Sequence, residues 1–442
     1  MTITYLITGG TTPDGVQTDI AIDSDGVIAE LGQNLRAEES VVIDATNKIV
    51  LPGLVDLHTH LREPGNNDAE TVESGTRAAA KGGFTAVHAM ANSNPVADTA
   101  GVVEQVFSLG KQAGWTDVHP VGAVTVGLAG ERLAELSAMH DSAANVTMFS
   151  DDGICVWDPV LMRRALEYVK SFDGFIAQHA QEPRLTEGAQ MNESALSSEL
   201  GLTGWPAVAE ESIIARDVLL AQHVDSRVHI CHVSTAGSVE LIRWAKSQGI
   251  NVTAEVTPHH LLLTEDYVKT YDPVYKVNPP LRKDSDVLAL RRGLADGTID
   301  TVGTDHAPHT EETKQSEWAV AAMGMTGLET ALPVIQHTMV DTGLIGWHDV
   351  ARVMSANPSR IYRHTDQGQL TDTGGLVQGA VANIAVYDPS HKFVVNPTEH
   401  DSKSANSPYK NMELSGQVTD VFYRGHQVVA DARVTTPFQH SR

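Results

Sequence analysis

Residues 55–65, VDLHTHLREPG, put His58 and His60 two positions apart at the end of an apolar run. Along a strand, residues i and i+2 point to one face, so both imidazoles can grip a single metal ion. Arg62 continues the alternation onto the same side, and Pro64-Gly65 breaks the strand where a loop over a site can begin. A His-x-His pair alone says little, because most histidines are structural or exposed. The reading stands only if other strand ends supply carboxylates and further histidines.

Working outward from that stretch, apolar β-like runs alternate with helical stretches from Leu54 to about Tyr362. The strands read as Val55–His58, Phe84–Met90, Val118–Val126, Val146–Phe149, Phe175–His179, Arg227–Val233, Asn251–Val256 and Ile299–Thr304. Helices are expected over Glu70–Lys81, capped by Asp68 and stopped by Gly82-Gly83, and over Val160–Lys170, Glu211–Gln222 and Ser238–Gln248. Eight strands alternating with helices predict an α/β fold, a (β/α)8 metal-dependent hydrolase barrel rather than an open sheet.

The flanks read differently. Tyr5–Thr11, Asp19–Ala21, Val27–Leu31 and Ser40–Ile43 precede the barrel as short strands, and Leu51-Pro52-Gly53 marks the change of character. Gly375–Val377, Asn383–Tyr387, Val418–Tyr423 and His426–Ala430 follow it. The expected organisation is therefore 1–50 and 364–442 as the two parts of a small β-sandwich built from both chain termini, and 51–363 as the catalytic barrel. Such a domain is expected to support the scaffold and carry little chemistry. There is no internal repeat with a period of about 20 to 50 residues.

Composition removes several function classes. The chain has 442 residues and a 41% apolar fraction, enough for a large α/β domain and a smaller one. Its formal net charge of -25, from 31 basic and 56 acidic side chains, leaves no basic surplus for phosphates and argues against nucleic acid. Solubility explains the acidity. Two cysteines, Cys155 and Cys231, make no disulfide framework and suit a reducing compartment. The opening MTITYLITGG is not a signal peptide, and no run of about 18 apolar residues predicts a membrane span. A cytoplasmic protein is expected.

In a parallel barrel the chemistry sits at the C-terminal strand ends. The first strand ends in His58-Thr59-His60, the fourth in Ser150-Asp151-Asp152-Gly153, and the fifth in His179. The sixth carries His229 and His232, and the eighth ends in Thr304-Asp305-His306. Five such strand ends together are hard to ascribe to chance. These residue types suit a binuclear site of borderline divalent ions, with a carboxylate bridging ions about 3.5–4 Å apart and a hydroxide between them. A free aspartate beside that hydroxide can take its proton and later deliver it to a leaving nitrogen, and Asp305 is the natural candidate.

Other residues weigh less. Adjacent residues of an extended chain face opposite ways, so at most one of His259 and His260 faces the centre, and both are assigned structural or supporting roles. His229 and His232 are three apart, and His232, nearer the strand end, is the better ligand. Cys231 reads as buried filler. His119, His140, His337 and His348 have no partner pattern. Chemistry alone does not separate Asp151 from Asp152.

The motifs HTHLREPG, the DDG at 151–153, CHVSTAGS from Cys231, AEVTPHHLLL from Ala254, KVNPPLR from Lys276 and TDHAPHTEETK from Thr304 resemble the dihydroorotases of the bacterial type I branch of the amidohydrolase superfamily. The resemblance covers nearly the whole chain. It implies that His58, His60 and Asp305 bind one zinc ion and that His179 and His232 bind a second. The family's bridging group is a carboxylated lysine or an aspartate. FSDDG holds no lysine, and the family pattern places the bridge, shared with hydroxide, at Asp152. Arg62, Asn92 and His309 are implied to hold a substrate carboxylate, the forked guanidinium suiting that group. Asn278 and the backbone near Met323-Gly324 are implied to contact a pyrimidine ring. One departure is AMANSNP, where Ala91 stands in place of a more usual proline before Asn92.

The implied activity is the reversible interconversion of N-carbamoyl-L-aspartate and (S)-dihydroorotate in pyrimidine (UMP) biosynthesis. The polar segment from His306 to about Met323 is expected to be mobile and to order over substrate. Two rivals are another cyclic-amide hydrolase, such as an allantoinase or hydantoinase, and a catalytically dead scaffold. The absent lysine and the Arg62 clamp weigh against the first, and the filled ligand positions against the second. The resemblance also admits aspartate transcarbamoylase and a second copy of the chain as partners.

Overall fold

A computed structural model describes residues 2–363 and 375–440, with the backbone of 365–366 and 369–370 between them. Eight parallel strands form the barrel: Leu54–Thr59, Phe84–Ala89, Asp117–Pro120, Met148–Phe149, Phe175–Gln178, Arg227–Ile230, Val252–Val256 and Thr301–Val302. Strand pairing joins the first three into one sheet and the last five into another. Parallel bridges between Gly122 and Phe149 and between Thr59 and His306 close the ring. Leu54–Thr59 is buried at every position, on both faces, although Asp56, His58 and Thr59 are polar.

Most strands are shorter than the sequence suggests. Val118–Val126 keeps strand geometry only over Asp117–Pro120, and Val146–Phe149 only over Met148–Phe149. Beyond the strand proper each chain turns into the loops that build the barrel mouth. The first helix runs Val72–Lys81, not from Glu70. Thr71 is its cap, accepting from the Ser74 N–H at 3.1 Å, and Asp68 is exposed. Glu70 is instead drawn into the interior, where it meets His306. Gly83, at φ +90, lets the chain turn from that helix into the second strand.

Both termini build one nine-stranded sheet. The strand Ile49–Pro52, just before the barrel, pairs antiparallel with Ile384–Tyr387 from the far end of the chain. Ile7, Ile20, Ile28, Ile43, Val50, Ile384 and Phe422 form a single apolar cluster, so the sheet curls around one of its own faces. Gly375–Val377 is not a strand; the nearest pairing is the isolated bridge of Val27 with Val381. The expected boundary at 363/364 lies outside the described residues. Among the described residues, no helix is long and apolar enough to cross a membrane.

Candidate active site

The chain turns sharply where the barrel strands end. Arg62, His232 and Asp305 all have positive φ, of 61°, 33° and 46°. Non-glycine residues rarely adopt that region, and such strain gathers at sites that the surrounding structure over-determines. Here it aims three side chains into one space.

At the centre of that space is Asp152. His58 Nε2, His179 Nδ1 and His232 Nε2 lie 3.3, 3.4 and 3.3 Å from its Oδ1, and His60 Nε2 lies 3.3 Å from its Oδ2. Asp305 Oδ1 stands 3.1 Å from His60 Nε2 and 3.6 Å from His58 Nε2. Two donors each about 2.05 Å from a tetrahedral ion are about 3.3 Å apart, the spacing found here. The residues fall into two ligand sets, His58–His60 and His179–His232, and both include Asp152. His58 Nε2 is buried with no hydrogen-bond partner among the described residues. An imidazole lone pair so placed fits a cation.

Each of three imidazoles is braced through its other nitrogen. His58 Nδ1 donates to Glu255 Oε1 at 2.5 Å, His60 Nδ1 to Asn92 Oδ1 at 2.8 Å, and His179 Nε2 to Gln181 Oε1 at 2.7 Å. Such outer partners fix the tautomer and leave the inner nitrogen as a ligand. Burial works against ionisation of Asp152, but His58, His179 and His232 outweigh it and hold its carboxyl well below the usual range. The same opposition, with His58 and His60 prevailing, lowers Asp305.

Asp151 does something else. Its Oδ1 accepts from the Val124 and Thr125 N–H groups at 2.8 and 3.0 Å, and its Oδ2 from the Thr125 hydroxyl. It ties two loops together, and burial pushes its carboxyl up to about 6 against those bonds. His229 is packed inside the barrel, with Nε2 3.3 Å from Glu255 and Nδ1 2.8 Å from Thr253. His259 and His260 sit on a one-turn helix, Pro258–Leu262, not on an extended chain, and His260 is bonded to Thr257 and the Pro279 carbonyl. Cys231 is buried beside His58 and Glu255.

A cavity of about 310 Å³ opens over the cluster. Its walls include His60, Asp152, His179 and Asp305 together with Arg62, Asn92, Asn278, His309, Met323 and Gly324. His58 and His232 lie beneath it, buried. Arg62 donates from Nε to the Pro308 carbonyl at 3.1 Å. Among the described residues it forms no ion pair with a carboxylate, and burial lowers the guanidinium to about 10. Asn92 stands on this wall despite Ala91 before it. His309 donates from Nε2 to the Met323 carbonyl at 2.8 Å, and burial first, then Arg62, depresses it to about 3. The Gly324 N–H donates to the Lys276 carbonyl at 3.0 Å.

Several contributors left no mark in the sequence reading. Asn406, from the C-terminal segment, accepts from the His309 N–H at 3.1 Å and donates to the Ala307 and Gly324 carbonyls at 3.0 and 3.2 Å. The terminal region therefore reaches the cavity wall instead of only supporting the barrel. Glu255 lies inside the AEVTPHH motif, and Gln181 two residues after His179, but neither has a spacing that announces it. The segment after His309 is pinned by two buried ammonium groups. Lys314 Nζ donates to the Lys276 and Ala322 carbonyls at 2.8 and 2.9 Å, and Lys276 Nζ to those of Trp318 and Ala319 at 2.6 and 3.2 Å.

A family model described as dihydro-orotase-like matches residues 47–238. The chain is 63% identical to a dihydroorotase of Streptomyces coelicolor, covering 97% of this chain and 99% of that protein. It is 64% identical to a dihydroorotase of Leifsonia xyli subsp. xyli, covering 98% of this chain and 97% of that one. Among solved structures, an L-hydantoinase (dihydropyrimidinase) from Arthrobacter aurescens superposes with a TM-score of 0.86 at 25% identity, covering 98% of each chain.

Proposed function

The chain belongs to the dihydroorotase family of the amidohydrolase superfamily, and we propose that it interconverts N-carbamoyl-L-aspartate and (S)-dihydroorotate in the cytoplasm, on the route to UMP. The observation that carries this reading is Arg62, a half-buried cation that forms no ion pair with a carboxylate among the described residues, on the wall of the cavity that holds the His/Asp cluster. A charge drawn away from solvent is costly unless paired, and a substrate carboxylate is the pair it fits. Carbamoyl-aspartate and dihydroorotate carry such a carboxylate, whereas the rings of hydantoin and allantoin do not.

In this reading His58, His60 and Asp305 hold one zinc ion, His179 and His232 hold a second, and Asp152 serves both. When bound, the ions acidify a water and polarise the scissile carbonyl. Arg62 and Asn92 anchor the substrate carboxylate. His309 joins them when its Nε2–H passes from the Met323 carbonyl to the substrate. Asn278 and the Met323-Gly324 wall flank the ring. In the hydrolytic direction Asp305 takes the proton shed by the attacking water and hands it to the departing ring nitrogen. Ring closure is the reverse. Aspartate transcarbamoylase and a second copy of the chain are the proposed protein partners, checked by co-elution of the purified proteins.

The test is to offer carbamoyl-aspartate, dihydroorotate, allantoin and hydantoin to the purified, zinc-assayed protein. Turnover confined to the first two is expected. Turnover of allantoin or hydantoin without either of them would overturn the reading.

A further inference from the structure

The hydrogen bonds around Gln181 run in one direction, and that direction reaches the substrate cavity. Thr186 Oγ1 lies 3.1 Å from the Glu182 carbonyl and 3.3 Å from that of Pro183. A backbone carbonyl only accepts, so the hydroxyl donates there and accepts from Gln181 Nε2, at 2.8 Å. Gln181 must therefore turn its Oε1 the other way. That oxygen receives two donors, His179 Nε2 at 2.7 Å and Asn278 Nδ2 at 3.0 Å. The His179 end has the same polarity once a cation is held among its Nδ1, Asp152 and His232, because Nδ1 is then the ligand and the proton is on Nε2.

Once Asn278 gives its NH2 group to Gln181, its Oδ1 is the atom it offers to the cavity it lines. That Oδ1 is buried and has no hydrogen-bond partner among the described residues. An unpaired acceptor shut off from solvent costs free energy until a donor reaches it. An N–H of the bound cyclic amide is such a donor.

We propose that Gln181 is a positioning residue that fixes the Asn278 amide with its oxygen toward the substrate, so that the cavity reads a ring N–H, while the same Gln181 oxygen holds His179 in its metal-binding tautomer. The inference rests on the cyclic-amide reading above. It makes one side-chain oxygen the link between metal retention and ring recognition. Gln181 itself touches neither the metal position nor, in this reading, the ring.

Two variants separate acceptance of hydrogen bonds from packing. Gln181→Met keeps the bulk and removes the acceptor. Gln181→Glu keeps the acceptor, and the Thr186 hydroxyl can turn to donate to it. In Gln181→Met the KM for dihydroorotate should rise about tenfold, with a smaller change in kcat, and zinc loss to a chelator should become about tenfold easier. Gln181→Glu should stay within about threefold of wild type in both readouts. Adding Asn278→Ala to Gln181→Met should raise KM no further than Asn278→Ala alone, because Gln181 acts on the ring through Asn278. The proposal is overturned if Gln181→Met behaves as wild type, if Gln181→Glu is as impaired as Gln181→Met, or if the double variant multiplies the two losses. A wild-type protein inactive on dihydroorotate would sink the functional reading instead. The zinc-retention comparison of the two variants would still decide the role of Gln181.

Discussion

The two sides of the cavity are built on opposite charges and by different means. On the cluster side, Asp152, Asp305 and Glu255 are buried carboxylates set among imidazoles at barrel strand ends. On the clamp side, half-buried Arg62 and buried Lys314 are cations that donate to backbone carbonyls of loops, and Arg62 also lies 3.4 Å from His309 Nε2. The first side is electrostatically complete with divalent cations, and the second with an anion. The means differ too. Asp56 accepts from the Thr304 N–H at 2.9 Å and the Thr59 hydroxyl at 2.8 Å, locking the first strand to the eighth under the cluster. The clamp depends on Asn406 and two lysines reaching across loops. One half is thus held by bonds along the barrel rim, and the other by bonds between loops.

The largest loss is expected from changing the cluster residue proposed to carry the proton. Asp305→Asn keeps size and one oxygen but cannot accept the proton. Turnover should fall by about 10³-fold, in the range for general acid–base groups. The unfolding midpoint should stay close to wild type, and much of the zinc should be retained. Near-normal kcat would remove Asp305 from the proton path.

The next effect belongs to the clamp and has an unusual sign. Arg62→Met should lower kcat/KM by about 10²-fold, the cost of leaving a carboxylate unpaired in a closed site. The same change should leave the free protein no less stable, because among the described residues Arg62 has no ion pair to lose. A variant that melts well below wild type would show that Arg62 supports the fold, and the contrast between the two halves would fail.

Behind the cluster, Glu255→Gln tests the bracing. The amide still accepts from His58 Nδ1, but the negative charge between His58 and His229 is gone. Zinc affinity should drop about tenfold or more, read by competition with a chelator. Unchanged affinity would reduce Glu255 to barrel packing.

This division also tracks what could be read in advance. His58, His60, His179, His232 and Asp305 were legible because a strand has a period of 2 and a parallel barrel has one chemical end. Chemistry alone did not separate Asp152 from Asp151, and only the family resemblance chose Asp152, since the difference lies in which of them meets the Val124 and Thr125 N–H groups. Those amides belong to another loop, and no local pattern encodes their position. Gln181, Glu255 and Asn406 carry no spacing signal, because each acts on residues distant in the chain. The β character of both termini was legible, but Gly375–Val377 was not distinguishable from a strand by its composition. The helix start slipped from Glu70 to Val72 because burial of Glu70 against His306 overrode its helical preference.

The smallest effect concerns the loop over the clamp. Burial, then the charge of Lys276, depresses the Lys314 ammonium to about 7, from an ordinary value of 10.5. Between those two values the unfolded chain binds more protons at this site than the folded one, so folding stability rises with pH across that window. Above it the charging penalty is absent, and below about 7 the penalty is constant. Lys314→Met removes the linkage. Denaturant unfolding at pH 7, 8 and 9 should therefore show wild type gaining on the variant as pH rises, and a constant difference would show that Lys314 does not titrate in this window. Deprotonation leaves two N–H groups for the Lys276 and Ala322 carbonyls, so the anchor survives the titration. Hydrogen exchange of residues 310–322 in wild type should then slow on ligand binding, because the clamp beneath the loop gains its anion. Identical exchange with and without ligand would mean that ligand does not order the loop, and that the two halves do not differ in this respect.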